Sequence, residues 1–399
     1  MKLSEMILDE WREIMKDKRL LIVLFLIPIS YMFVFGSMYH HGQVQNLPTI
    51  YIDESDSQLS KQIIQAFETS FSFQVMGAVS TEKELIHLIE TGQAAVGLVF
   101  PEDLSANIKQ GKQSELLTFI DGSNMMVSNI ALRNANEIIQ TFSGGISLRR
   151  LEAKGIDDTQ AVSIHQSYRI LYNPGFSYGI FLLVGLFGAV IQQVLFLGIS
   201  LSITREKERA RWSSYVKEYP WKVLYAKAVP YFLIGVFNIL MTYGLLLRLF
   251  HIPLLGSIID FLALSVAFIL SLLGIGFLAS LTAKTQLQAT QVTMLIALPS
   301  FLLSGFTWPF SAMPSWVAAI GQALPLTYFL HGMREVAVKG NAWDQISNDI
   351  FILAMMAFTT FILAILILLV QRKQLIYGKE ESNTNGILPP TDCPNYRNL

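Results

Sequence analysis

The sequence is poor in cysteine and in charge. Its 399 residues hold one cysteine, Cys393, close to the end. A single thiol closes no internal disulfide and builds no multi-cysteine metal cluster, so any domain outside a membrane must hold together by its own core. Charged residues make up 15% of the chain and apolar residues 52%, against about 25% charged in soluble domains. The net charge is −1, which removes any global attraction to nucleic acid. HExxH does not occur, and no metal ligand set with defined spacing is expected. His40-His41 and Asp53-Glu54 with Asp56 are the nearest approaches, and both read as interfacial or turn-forming residues.

What is present is a series of long apolar runs, several of them without any charge. About 20 apolar residues cross ~30 Å of hydrocarbon as a helix. Six runs qualify: Leu20–Tyr39, Phe176–Ile203, Val223–Leu247, Ile258–Leu281, Ala289–Phe306 and Ile350–Val370. The fold class expected is therefore an α-helical polytopic membrane protein with six transmembrane helices. The first run could also be a signal peptide, but Pro28 and the poor cleavage context Gly36-Ser37-Met38-Tyr39 favour an anchor. Basic residues set the orientation. Lys16, Lys18 and Arg19 precede the first span, six basic residues stand against three acidic ones in Arg205–Lys222, Lys284 lies between spans four and five, and Arg372-Lys373 follow the last. All four clusters fall on one side if both termini are cytoplasmic, in a multi-pass protein of the cell membrane, bacterial by expectation.

The boundaries expected are a cytoplasmic amphipathic elbow at 1–19, the first span at 20–39, an extracytoplasmic domain at 40–172, the remaining spans at 173–370 and a cytoplasmic tail at 371–399. In the elbow, Leu3, Met6, Ile7, Trp11, Ile14 and Met15 recur at helical spacing. Its five positive and five negative charges balance, so lipid electrostatics are not expected to be its main attraction. The outer domain reads as α/β, inserted between spans one and two. Strands are expected at Thr49–Asp53, Phe73–Val79, Ala94–Phe100 and Leu116–Asp121, and helices at Ser57–Thr69, Thr81–Thr91, Glu102–Gln110 and Met125–Ala153. Thr81 and Glu84 form a capping box, Pro101 suits a first helical position, and Gly92 and Gly111 suit helix ends.

The charged stretch at 204–222 is the most informative. A solvated loop obeying the positive-inside rule has no need of Glu206, Glu208 and Glu218, nor of Trp212 and Tyr215; mixed charge with aromatics suits protein docking. Arg205-Glu206-Lys207-Glu208, then Pro220 before the next span, resembles the coupling loop of type-2 ABC exporter permeases, departing from it at Ala210-Arg211, where that family has Gly-Thr. Two further stretches are similar to the same family. One is the outer domain, with Ile52-Asp53-Glu54-Ser55, Ala95 to Leu104 and Asp121-Gly122-Ser123. The other runs from Leu303 to Phe310, with Met313-Pro314 and Leu324 to Tyr328.

That resemblance implies a permease that pairs with a second permease, identical or paralogous, and binds a separate cytoplasmic ATPase. ATP and Mg would sit on that ATPase. This chain would bind no cofactor, and it is not expected to be an enzyme, since no GxxxxGK[ST] loop occurs. The cargo implied is an amphipathic or lipid-like compound such as a drug or antibiotic. The coupling residues implied are Arg205, Glu206, Lys207, Glu208, Arg209, Trp212, Tyr215 and Pro220, with helix continuity through Ile203 carrying the force.

Polar residues within spans are costly and tend to face the interior. Gln192, Gln291 and Ser300 are the candidates for a substrate pathway, beside the plainer reading of interhelical hydrogen bonds. The segment 308–330 is too apolar for a free loop, and it reads as a re-entrant or interfacial helix pair with Trp308 and Trp316 at the interface. A motorless receptor or secretion accessory protein is the alternative. A secondary carrier is disfavoured because no ionisable residue is seen deep in a span.

Overall fold

A computed structural model describes residues 2–39, 44–153, 169, 171–174, 177–209, 212, 213, 216 and 220–384, with side chains except at 151–153 and 377–384. The chain divides into two compact units, Gln43–Ile170 and Met1–Gly42 with Leu171–Leu399.

The smaller unit is an α/β domain. Its strands are β1 (Leu47–Asp53), β2 (Phe73–Ala78), β3 (Val96–Phe100) and β4 (Leu117–Ile120). They lie in the order β2-β1-β3-β4, parallel except for β4. Parallel neighbours need crossover helices, and two supply them, α3 (Gln58–Thr69) and α4 (Glu82–Glu90), while α5 (Leu104–Lys109) lies between β3 and the antiparallel β4. The long α6 (Met125–Ala153) closes the unit. Side chains alternate across the strands. Leu47, Val96, Leu98 and Phe100 join Phe67, Phe73 and Ala131 on one face, while Ile50 and Ile52 meet Leu85 on the other.

Local signals behaved unevenly here. Gly92 and Gly111 end their helices at φ +72° and +82°, the left-handed conformation glycine adopts without penalty. At α4, Thr81 Oγ1 accepts the Glu84 N–H at 3.3 Å, but the Glu84 carboxylate takes the N–H of Ser80 rather than Thr81, so only half of the expected capping box forms. Pro101 does not open α5; its carbonyl accepts the Leu104 N–H at 3.1 Å, and the helix starts there. Asp53 is a turn former: its carboxylate takes the Asp56 N–H at 3.0 Å and the Ser60 hydroxyl at 2.7 Å. His40 and His41 lie outside the described residues.

The larger unit is helical. The elbow α1 (Leu3–Lys16) leads into α2 (Lys18–Met38), and α7 (Tyr178–Glu208), α8 (Pro220–Leu249), α9 (Ile258–Thr282), α10 (Gln286–Leu303) and α13 (Trp343–Thr384) follow the inserted unit. Among the described residues, six helices are long and apolar enough to cross a membrane by length and composition. Between α10 and α13 lie α11 (Ser315–Gln322) and α12 (Pro325–Met333), so the segment read as a helix pair folds as one, with Trp308 and Trp316 exposed.

Helix α9 sits at the centre against α7 and α13, whereas α2, α10 and α13 carry exposed apolar sides. Small residues bring backbones together. A Cβ on Gly276 would stand 2.8 Å from Ile199 Cγ2. Within α2, Ile22–Leu26 forms a π-helical turn, which frees carbonyls from the usual ladder. Asn238 of α8 donates to one of them, Leu24 O, at 2.9 Å.

Candidate functional site

The last turns of α7 form a hub. Starting from Ile203, nearly every polar group reaches a different helix. Ser280 of α9 accepts the Ile203 and Thr204 N–H groups at 3.2 and 3.3 Å and donates to Ser200 O at 2.7 Å. Lys207 Nζ donates to Ser280 O, Leu281 O and Ala283 O at 3.1, 2.6 and 2.8 Å. These are the carbonyls that a helix C-terminus leaves without internal partners, and a cation there also complements the helix dipole. Glu208 does the reciprocal job at the start of α10. Its carboxylate accepts the Gln286 backbone N–H at 2.8 Å and the Gln286 side-chain amide.

The elbow is fastened to the same place. Glu10 is 4% exposed, with Arg205 Nη2 at 3.3 Å and Lys227 Nζ at 2.6 Å from its two oxygens. Lys227 also donates to Ser202 O at 2.9 Å and lies 3.7 Å from Glu206. Tyr231 Oη donates to Glu10 at 3.4 Å. Such a buried set is stable only as a set, because each charge offsets the desolvation of its neighbours. At the rim, Arg209 pairs with Glu13, whose carboxyl lies below the ordinary range chiefly because of that hydrogen bond. Trp212, also buried, donates to Gln371 Oε1 of α13 at 3.2 Å, and Gln371 donates to Leu281 O at 3.1 Å. Pro220 is the first residue of α8, where its missing N–H leaves no bond unmade.

The structure thus directs most of the predicted coupling residues inward. Arg205 and Glu206, expected to face a partner's charges, are 5% and 4% exposed and meet charges of this chain instead. Glu208, Arg209 and Ser213 remain at the surface. Tyr215 lies outside the described residues. Sequence reasoning missed Glu10 and Lys227. Lys227 lies four residues into the third span, near its end rather than deep in it. A cue existed, since Glu10 shares the buried face of α1 with Met6 and Ile14.

The three pathway candidates are not brought together. Gln192 is fully buried with neither amide atom bonded, Ser300 is fully buried and donates to Ile296 O, and Gln291 is exposed. Gln291 and Ser300 are nine residues apart on α10, about 900° of rotation, which places them on opposite faces.

The far end of the bundle carries a second polar cluster. His331 Nδ1 lies 2.7 Å from Asp349, and its Nε2 is 3.8 Å from Glu335, which also accepts from Lys339 and Asn341. Beside it, Arg334 donates to Phe306 O at 3.0 Å and stacks over the Phe306 ring. A pocket of about 280 Å³ opens there, between Phe306, Phe310, Tyr328, His331, Arg334 and Asp349.

The Asp349 hydrogen bond raises His331 above its ordinary pKa of 6.5, against burial and Lys339, which lower it; Asp349 and Glu335 also favour the charged form. With the folded pKa above the unfolded one, the stabilisation is complete below the unfolded value and is lost as pH rises through the folded value. The thermal midpoint of the purified chain is therefore expected to fall as pH is raised from about 6 to about 9. The slope should shrink in His331→Gln; an unchanged slope in that variant would remove the assignment.

Comparison with known proteins is consistent along the chain. The family described as ABC-2 family transporter protein matches residues 18–366. The probable multidrug ABC transporter permease YbhR of Escherichia coli K12 is 25% identical over 320 residues, covering 80% of this chain and 85% of that protein. The probable multidrug ABC transporter permease YbhS of the same organism is 24% identical over 345 residues, covering 83% and 87%. The inner membrane transport permease YhhJ, also of that strain, is 22% identical over 371 residues, covering 90% and 94%.

Proposed function

The chain belongs to the ABC-2 family of transporter proteins, and from that premise we propose that it is the permease of an exporter driven by a separate ATPase that docks at the hub end of α7. The cargo on this reading is an amphipathic or lipid-like compound, in keeping with the multidrug naming of the similar permeases. A second permease, identical or paralogous, completes the membrane part, and ATP with Mg belongs to the motor. On this reading the hub and both termini lie in the cytoplasm and the α/β unit outside, the orientation that the basic clusters favour.

The observation that carries the reading is the set of bonds at the end of α7. One short segment grips α1, α8, α9, α10 and α13. A push on Glu208, Arg209 or Ser213 is thereby delivered to the bundle as a whole, as a passive subunit coupled to a motor requires. The buried Arg205, Glu206 and Trp212 and the half-buried Lys207 transmit, and the exposed residues receive. A motorless receptor needs no such junction.

Copurification with the tagged chain should bring down an ATPase that carries the phosphate-binding loop absent here. Ser213 is exposed and holds no hydrogen bond among the described residues, so Ser213→Arg should leave membrane insertion and thermal midpoint intact. The same change should lower ATPase recovery and dye efflux by roughly tenfold, the equivalent of ~1.4 kcal/mol at the interface. Recovery of the ATPase at wild-type yield would move the docking face elsewhere.

A further inference from the structure

Through Arg19 the elbow carries equal numbers of positive and negative charges, yet the fold does not use them equally. Each acidic residue is engaged. Glu5 accepts the Lys2 N–H at 2.9 Å, Asp9 pairs with Arg12, Glu10 holds Arg205 and Lys227, and Glu13 holds Arg209. Asp17 takes the N–H groups of Arg19 and Leu20 at 3.1 and 3.2 Å, which starts α2. The side chains of Lys16, Lys18 and Arg19 make no hydrogen bond or ion pair among the described residues.

These three converge with Arg205 and Arg209 around an open pocket of about 710 Å³, whose only acidic lining residues among the described ones are Glu13 and Asp17. Arg205, which also lines it, is 5% exposed, pairs with Glu10 through Nη2, and has no hydrogen-bond partner at Nε among the described residues. The pocket stands where the first membrane helix begins. From Lys18 an exposed apolar stripe continues at four-residue spacing through Ile22 and Leu26, which are 51% and 56% exposed. A cationic pocket followed by an apolar stripe along a span matches a charged headgroup followed by an acyl chain.

We propose that this pocket binds the phosphate headgroup of an anionic membrane lipid, held by Lys16, Lys18, Arg19 and Arg205. The site requires only that α2 cross a membrane, and it is independent of which motor or cargo the complex uses. It gives the elbow a lipid contact that its balanced charge conceals.

Native mass spectrometry of the detergent-purified full chain tests this with dioleoylphosphatidylglycerol, dioleoylphosphatidylcholine and inorganic phosphate as probes. Phosphatidylglycerol should bind at least about tenfold tighter than phosphatidylcholine. Lys16→Gln should weaken it by about fivefold, and Lys16→Gln with Lys18→Gln and Arg19→Gln by on the order of a hundredfold. The charge-retaining set Lys16→Arg, Lys18→Arg and Arg19→Lys should bind as the wild type does, which separates loss of the site from loss of the fold. Equal binding of the two lipids, or full phosphatidylglycerol binding by the glutamine variants, would overturn the site. Displacement of phosphatidylglycerol by an equal concentration of inorganic phosphate would overturn the lipid as its occupant.

Discussion

Replacing Glu10 with leucine is expected to lower the thermal midpoint of the purified chain more than any other single change in the elbow. The carboxylate is 4% exposed and faces two buried cations, Arg205 and Lys227, at 3.3 and 2.6 Å. Its loss leaves Arg205 without that partner and Lys227 with only Glu206, at 3.7 Å, in a site with little access to water. Removing one partner of a buried ion pair costs about 3–5 kcal/mol. The conservative Glu10→Gln keeps the shape and loses the charge, so it should fall between. Combining Glu10→Leu with Lys227→Met removes one orphaned cation and should recover part of the loss. Recovery stays partial because Ser202 O then lacks the donor that Lys227 supplies. Unfolding followed by tryptophan fluorescence in detergent reads the series. A Glu10→Leu midpoint equal to the wild type would mean that the three groups are not coupled as described.

Substitution of Lys207 by methionine is expected to uncouple the permease with a smaller loss of stability. The ammonium has three donors, and all three meet carbonyls at the end of α9. Methionine is of similar length and apolar, so packing is largely retained and the bonds are lost. Each unsatisfied carbonyl costs about 1–3 kcal/mol if it stays dry. These carbonyls sit at a helix end where water can reach them, and the lower part of that range applies. What cannot be replaced is the tie between the last turn of α7 and the end of α9; the Ser280 bonds one turn earlier remain. Dye efflux should drop by at least about tenfold, while copurification of the ATPase stays at the wild-type level. Arginine should not restore efflux, because its planar fork cannot serve three carbonyls gathered around one nitrogen. Wild-type efflux by Lys207→Met would show that force does not pass through this contact.

Much of this fold was legible in the sequence because it rests on local periodicity. The four strands and four helices of the α/β unit fall within a few residues of expectation, since alternation of apolar residues and the glycines at 92 and 111 mark them without reference to distant parts. The long helices follow from apolar length alone. Half of the capping box and the position of Pro101 were misjudged because a one-residue slip in a loop changes which N–H is nearest. The hub was only half legible. Charge and aromatics in 204–222 announced an important segment, but they carry no direction. Arg205 meets a partner 195 residues away in sequence, and no spacing rule reaches that far. Nor does charge counting show that Lys227 points inward, since a lysine near the end of a span more often extends toward water. Gln291 and Ser300 could have been separated beforehand, by the rotation between them.

The wide turn in the first membrane helix bears on which changes that helix can absorb. Its buried residues are Leu20, Leu24, Pro28, Met32 and Gly36, at strict intervals of four. On a regular α-helix such a series rotates by about 40° at every step and would leave its neighbour within a few turns. The π turn at Ile22–Leu26 takes more residues per revolution, absorbs part of that drift, and keeps the series facing α8, where Asn238 secures the carbonyl it exposes. The first span is therefore a counted object. Exchanges on its lipid-facing side alter little, but adding or removing one residue near Leu24 shifts the phase between the elbow and the rest of the helix, and with it the angle at which Glu10 meets its two cations.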